Sequence, residues 1–320
     1  VWPEIFTFEL FGKSFPLRSF GLLVALGFVV GVRVAQKLAT KYGTDPKNDP
    51  LKIPEVGWSV LIGVILGARL GFVLVNWEHY SNNPLSILAI WEGGLVMYGG
   101  LILALILGIR KVKQQGMEVW KGVDYMLTAG FLGQAVGRLG CLAVGDDYGS
   151  PTQVPWAITF PNPLPTGSAF APELAGMAVH PTQPYMVLKA FSLFLLGLWL
   201  LRNKRFHGQV TVILFGFYGV LRSIVEEFRG DDFARDGIFQ VGLSPAEVTT
   251  NLKELGMMDG YGRFIDIPAF QKALADGVPG LRPDLLISTS QMVAGVCLVF
   301  SFVAYRYLGN RADLRLSKTQ

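Results

Sequence analysis

Residues 57–76, GWSVLIGVILGARLGFVLVN, decide the class of the fold. A helix rises 1.5 Å per residue, so this stretch makes about 30 Å of helix, the thickness of a bilayer's hydrocarbon core. An amphipathic helix of a soluble protein would break the run with polar groups on every turn. Here Arg69 is the one charge inside it. Comparable runs lie at 19–38, 88–109, 122–143, 184–201, 209–228 and 286–306. The expectation is an all-α polytopic integral membrane protein with about seven transmembrane helices and a single membrane domain over residues 1–320. The charged fraction of 16% fits, since soluble domains carry about 25%. A net charge of +4 is too small for a nucleic-acid footprint, and the basic residues instead collect between spans. The two cysteines, Cys141 and Cys297, lie in apolar surroundings and make neither a disulfide framework nor a metal site.

The loop charges orient the spans. Lys37, Lys41, Lys47 and Lys52 join the first two, and Arg110, Lys111, Lys113 and Lys121 join the third and fourth. Arg202, Lys204 and Arg205 join the fifth and sixth, and Arg306, Arg311, Arg315 and Lys318 follow the last. The alternate loops, 77–87 and 144–183, contain no Lys or Arg. The positive-inside rule therefore predicts an N-terminus outside and a C-terminus inside. Residues 144–183 read as an irregular extracytoplasmic cap. Residues 244–280 read as an inserted helical subdomain on the same side, with one helix starting at Ser244-Pro245 and a second over about Pro268–Asp276. That segment is expected to be separable from the chemistry.

Charged groups inside spans are expensive and mark function by default. Arg69, Arg138 and Arg222 lie roughly 8–11 Å below the outer end of their spans. Guanidiniums at one depth in the outer leaflet suit a phosphate-bearing headgroup, which arginine grips through a bidentate fork. Gln134 shares the fourth span with Arg138, and Glu226, Glu227 and Arg229 follow Arg222. Glu226 is one turn beyond Arg222, so a self-satisfied ion pair is the competing explanation. His180 is a lone loop histidine and reads as structural. Lys189 falls inside a span, as a snorkelling side chain or a sign of a misplaced boundary.

Around these residues the sequence resembles a known family. GRLGCLAVGDDYG, 137–149, is similar to the GRxGNFxNxExxG signature of bacterial prolipoprotein diacylglyceryl transferases. GARLGFVL at 67–74, WEGGLVMYGGL at 91–101, HPTQPYM at 180–186, YGVLRSIVEEFRGDD at 218–232 and STSQ at 288–291 resemble further family motifs, in order. The resemblance implies transfer of a diacylglyceryl group from phosphatidylglycerol to the lipobox cysteine of a prelipoprotein signal peptide, with release of glycerol phosphate. It implies a multi-pass protein of the bacterial cytoplasmic (inner) membrane, with its site toward the periplasmic leaflet. No metal, organic cofactor or nucleic acid is implied.

By position, the resemblance makes Arg138, Arg222, Tyr98 and Glu226 the catalytic candidates. Arg69, Cys141, Asp146, Gly149, Tyr218, Gly99, Gly100, His180, Gln183 and Arg229 are the candidates for substrate contact. Several positions depart from the pattern. Cys141 stands for an asparagine, Asp146 for a glutamate, Tyr98 for a histidine, Met186 for a glutamate and Phe20 for a tyrosine. Two rival readings remain open. One is a diverged, non-catalytic or altered-substrate paralogue that binds phospholipid or lipoproteins. The other is a transporter, although the chain lacks the internal repeat many transporters carry.

Overall fold

The structure is a computed structural model, and it describes residues 2–10, 13–82, 86–87, 94, 96–230, 239–241, 245–258, 269, 273, 278–281 and 285–316. The described residues form nine α-helices and three two-stranded sheets. Six helices are long and apolar enough to cross a membrane, so the chain is a polytopic membrane protein of all-α class. Backbone contacts divide it into two compact units, Val32–Ala129 and a second made of Val1–Gly31 with Gly130–Gln320. Helices α1 (Ser19–Tyr42) and α5 (Val119–Val144) contribute residues to both.

The first unit is built around α2 (Asp49–Val75) and α4 (Met97–Gln114), with the short α3 (Trp77–Asn82) between them. At the start of α2, Asp49 accepts the backbone N–H groups of Thr44 and Asp45 at 2.8 and 2.9 Å, which ties the preceding turn to the helix. α2 and α4 approach through glycine. A Cβ on Gly67 would lie 2.3 Å from the carbonyl oxygen of Gly99, and one on Gly63 would lie 2.6 Å from Cα of Ala104. Small residues at this spacing let helix backbones touch, which substitutes for the hydrophobic drive that lipid cannot supply. The span expected at 88–109 is corrected here: the helix is Met97–Gln114, and most of 88–96 falls outside the described residues. It is also the least apolar of the long helices, because Arg110, Lys111 and Lys113 lie within it.

The second unit begins with an antiparallel hairpin, β1 (Glu4–Leu10) and β2 (Lys13–Arg18), which leads directly into α1. Gly27 of α1 meets Gly133 of α5 so closely that a Cβ on Gly27 would fall 2.4 Å from the Gly133 carbonyl. Helices α6 (Thr182–Asn203), α7 (Gln209–Glu226) and α9 (Thr289–Asn310) complete the membrane part of this unit. Ser301 of α9 donates to the Val212 carbonyl of α7 at 3.0 Å. Ser288 caps α9 in a reciprocal capping box with Gln291.

Between α5 and α6 the chain forms an irregular layer that includes β3 (Ile158–Thr159) and β4 (Ala178–Val179). Its core is Phe160, stacked on Phe170 at 4.0 Å, with Leu174, Met177 and Val179. Val248 and Leu252 of α8 (Pro245–Glu254), with Leu281, enter the same core, each at most 1% exposed. The segment read as a separable insertion thus completes the core of the layer read as a cap. A short sheet of β5 (Phe239–Val241) and β6 (Leu285–Ile287) brackets it. The second helix expected at 268–276 lies almost wholly outside the described residues.

Candidate active site

Three polar residues of the second unit follow one another along one face of α7, and a fourth lies just beyond the helix end. Tyr218, Arg222 and Glu226 recur every four residues on α7, and Arg229 follows one turn later. Arg222 pairs with Glu226. Arg229 reaches the same Glu226 carboxylate at 3.7 Å with one nitrogen and Asp147 at 2.9 Å with another. The other Asp147 oxygen pairs with Arg138, near the end of α5. The result is a chain of alternating charges, Arg138, Asp147, Arg229, Glu226, Arg222. Ser288, the α9 cap, donates to Glu226 at 2.9 Å. The alternation offsets the cost of removing five charges from water. Arg229, in the middle, is 4% exposed at its side chain; Arg138 and Arg222, at the ends, are 25% and 15% exposed. The ends are therefore the positions from which a guanidinium can meet a ligand.

The loop after α5 is shaped to hold Asp147. Gly145, at a φ of 81°, ends the helix in the left-handed conformation, and its N–H bonds the Cys141 carbonyl at 2.9 Å. Asp147 itself has a φ of 54°, which aspartate tolerates better than most residues. The start of α6 fixes this turn: Thr182 Oγ1 donates to the Asp147 carbonyl at 2.6 Å, and Gln183 Nε2 to that of Asp146 at 2.9 Å. Burial pushes the Asp147 carboxyl up, but Arg138 and Arg229 more than offset this and hold it below the ordinary value of 3.8.

Gly149 lets three strands of chain meet. A Cβ there would lie 2.2 Å from the His180 carbonyl, and Gly149 bridges to Arg229. His180 packs its ring on Phe228 at 5.0 Å and lies 3.5 Å from the Tyr185 hydroxyl, so its environment is a structural aromatic cluster. Cys141 is buried, with Arg138 Nη1 3.7 Å from its sulfur. Lys189 sits with its Nζ 4.4 Å from the centre of the Tyr218 ring.

The first unit holds the remaining candidates. Arg69 donates to the carbonyls of Ile87 at 2.9 Å, Ser86 at 2.7 Å and Gly94 at 3.3 Å, and packs against Tyr80. Its guanidinium donates to a loop, which sets it apart from Arg138 and Arg222 with their carboxylate partners. Gly99 and Gly100 serve the α2–α4 contact: added Cβ atoms would meet the carbonyls of Gly67 at 2.3 Å and Val64 at 2.8 Å. Tyr98, beside them, is 42% exposed.

Asp147, Thr182 and Ser288 were not foreseen as site residues. In the pair Asp146-Asp147 the motif match points to the first, whose side chain is exposed, while the second binds both arginines. Cys141, Asp146 and Asp147 bring ligand atoms within 4.8 Å of one another. Two guanidiniums occupy Asp147, however, and would repel a cation.

Half-buried and buried arginines are thus brought together with carboxylates at the ends of membrane-length helices, in a polytopic membrane protein. Comparison with known proteins gives the class its family. Residues 6–253 match the family model described as prolipoprotein diacylglyceryl transferase. The phosphatidylglycerol–prolipoprotein diacylglyceryl transferase of Finegoldia magna is 36% identical over 225 residues, which covers 70% of this chain and 83% of that protein. The proteins of the same name from Geobacter sulfurreducens and Clostridium tetani are 35% and 34% identical, with 67% and 70% of this chain covered and 78% and 84% of theirs. The chain belongs to the prolipoprotein diacylglyceryl transferase family.

Proposed function

We propose that this protein transfers the diacylglyceryl group of phosphatidylglycerol to the thiol of a prelipoprotein's lipobox cysteine. A carbon–sulfur bond forms at the glycerol carbon that bears phosphate. The carbon–oxygen bond breaks, its electron pair stays on phosphate, glycerol phosphate leaves, and the thiol proton is released. Negative charge grows on the phosphate oxygens as this happens. Fixed guanidiniums in a low-dielectric site stabilise that charge without reorganising. The observation that carries the reading is the placement of Arg138 and Arg222 at the two more exposed ends of the buried charge chain. Asp147, Arg229 and Glu226 hold them in position. Cations nearby also favour the attacking thiolate, and holding lipid and peptide together supplies proximity.

In this reading Tyr98 donates a hydrogen bond to substrate and is not its base, since a phenol near pKa 10 is protonated at neutral pH. The basic loops face the cytoplasm, α4 is a seventh span, the N-terminus is outside, and the site opens to the outer leaflet of the inner membrane. Lipid and signal peptide enter sideways from the bilayer.

The test is complementation of a transferase-depleted bacterium, scored by diacylglyceryl modification of a reporter prelipoprotein. Modification supports the reading. Its absence, with the protein inserted, rejects it in favour of a paralogue that binds without reacting.

A further inference from the structure

Lys189 is the buried cation that the ion-pair chain does not use. It is 5% exposed, and among the described residues its Nζ meets no hydrogen-bond acceptor. The Tyr218 ring, 4.4 Å below the ammonium, holds it by a cation–π contact. The charged groups within electrostatic reach are Arg222, Arg138, Asp147 and Glu226. Arg138 and Arg222 are paired with the carboxylates Asp147 and Glu226, whereas the Lys189 ammonium has no carboxylate of its own among the described residues. A buried ammonium is costly unless an anion completes it. The lysine also borders open space outside the chain of ion pairs, with its ammonium buried. With Leu188, Phe191, Leu221 and Ile224 it lines an apolar groove of about 390 Å³ between α6 and α7.

We propose that Lys189 binds the phosphate of the departing glycerol phosphate, as a third cation beside Arg138 and Arg222. This rests on the function proposed above and adds a residue to it. A phosphodiester carries one negative charge, and the phosphate monoester it becomes carries nearly two at neutral pH. A further cation, the Lys189 ammonium, beside the two guanidiniums therefore matches the leaving group better than the intact lipid. An interaction that strengthens as the carbon–oxygen bond breaks raises the rate of the chemical step and not merely binding. Tyr218 is a positioning residue in this account.

The test uses the full-length protein in nanodiscs containing phosphatidylglycerol, with a prelipoprotein peptide as acceptor and glycerol phosphate as inhibitor. Lys189→Met should lower kcat at least tenfold, with KM for the lipid changed less than threefold, and should weaken inhibition by glycerol phosphate at least tenfold. Lys189→Arg should restore most of both, since it keeps the cation. The inhibition constant is independent of the fraction folded, so it reads the site even if a variant is less stable. Unchanged inhibition in Lys189→Met, with inhibition weakened in Arg222→Ala, overturns the role of Lys189 and leaves the proposed function standing. Inhibition unaffected by either variant overturns the phosphate site itself. A lysine acting as the base would leave Lys189→Arg as inactive as Lys189→Met while inhibition persisted, which also rejects the proposal.

Discussion

Arg229 lies 2.9 Å from Asp147, with only 4% of its side chain exposed. Asp147 is therefore a half-buried anion between two guanidiniums, since its other oxygen pairs with Arg138. Removing one member of a buried ionic group leaves the others uncompensated, at a cost of about 3–5 kcal/mol. Asp147→Asn should destabilise the protein and depress transfer at least tenfold, whereas Asp146→Asn, at an exposed position, should do neither strongly. Thermal unfolding and peptide modification measured on both variants check this. Equal effects would mean the motif match, not the geometry, names the working carboxylate.

The pH dependence of that contribution follows from its sign. Asp147 has a folded pKa below 3.8, so its stabilising effect is complete above that value and disappears only as pH falls through the depressed one. The melting-temperature gap between parent and Asp147→Asn should be the same at pH 5 and pH 8. A gap that changes between pH 8 and pH 5 would show that the carboxylate titrates above its ordinary value and is not held ionised by its arginines.

Arg138→Ala and Arg222→Ala should each reduce transfer by well over tenfold, the equivalent of about 1.4 kcal/mol, while the protein still inserts. Arg69→Ala should behave differently. It releases the carbonyls of Ser86, Ile87 and Gly94, so the loss should appear as reduced stability, with the folded fraction keeping its kcat. A folded Arg69→Ala protein with kcat as low as the other two would return Arg69 to the phosphate site.

Much of this was legible in the chain. Long apolar runs specify spans because backbone in lipid must satisfy its own hydrogen bonds. The four-residue recurrence of Tyr218, Arg222 and Glu226 places them on one helix face by spacing alone. Contacts made through loops were not legible. Asp146 and Asp147 differ by one residue, and a left-handed turn decides which carboxylate faces inward. Arg69 looked like Arg138 by depth, but its partners are carbonyls of a loop whose path no periodicity predicts. Gly99 and Gly100 read as a site motif because glycine serves both ligand approach and helix contact, and only the position of Gly67 separates the two uses.

That distinction is testable. Gly99→Ala brings a methyl group against the Gly67 carbonyl at 2.3 Å, so α2 and α4 must separate. Overpacking of this kind costs about 1–3 kcal/mol. The variant should melt earlier than the parent, and Gly67→Ala should do the same from the other helix. Gly130→Ala, where a Cβ meets nothing within 4 Å, should be neutral or slightly stabilising because alanine favours the helix. If Gly99→Ala kept the parental melting temperature and lost only transfer, the glycine would belong to the substrate site.

The core shared by the two loop segments gives the last prediction. Leu252 is wholly buried, and so are Met177 and Val179 in the same cluster. Val179 ends β4, and the chain runs on through His180 and Pro181 to Thr182 and Gln183, which hold the carbonyls of Asp147 and Asp146. The path from Leu252 to the charge chain thus runs through packing and then through two hydrogen bonds. Leu252→Ala should cost about 2–5 kcal/mol in the core. Loosening β4 should let the Asp146-Asp147 turn move, so transfer should fall along with stability. Leu255→Ala, at a side chain 51% exposed on the same segment, should change neither. The readouts are protease cleavage within residues 152–181 and peptide modification by the variant in nanodiscs. Cleavage should appear in the Leu252 variant first, and modification should drop with it. Faster cleavage with full transfer would mean that the turn is held by α6 alone and that the segment around Leu252 serves only the layer it packs against.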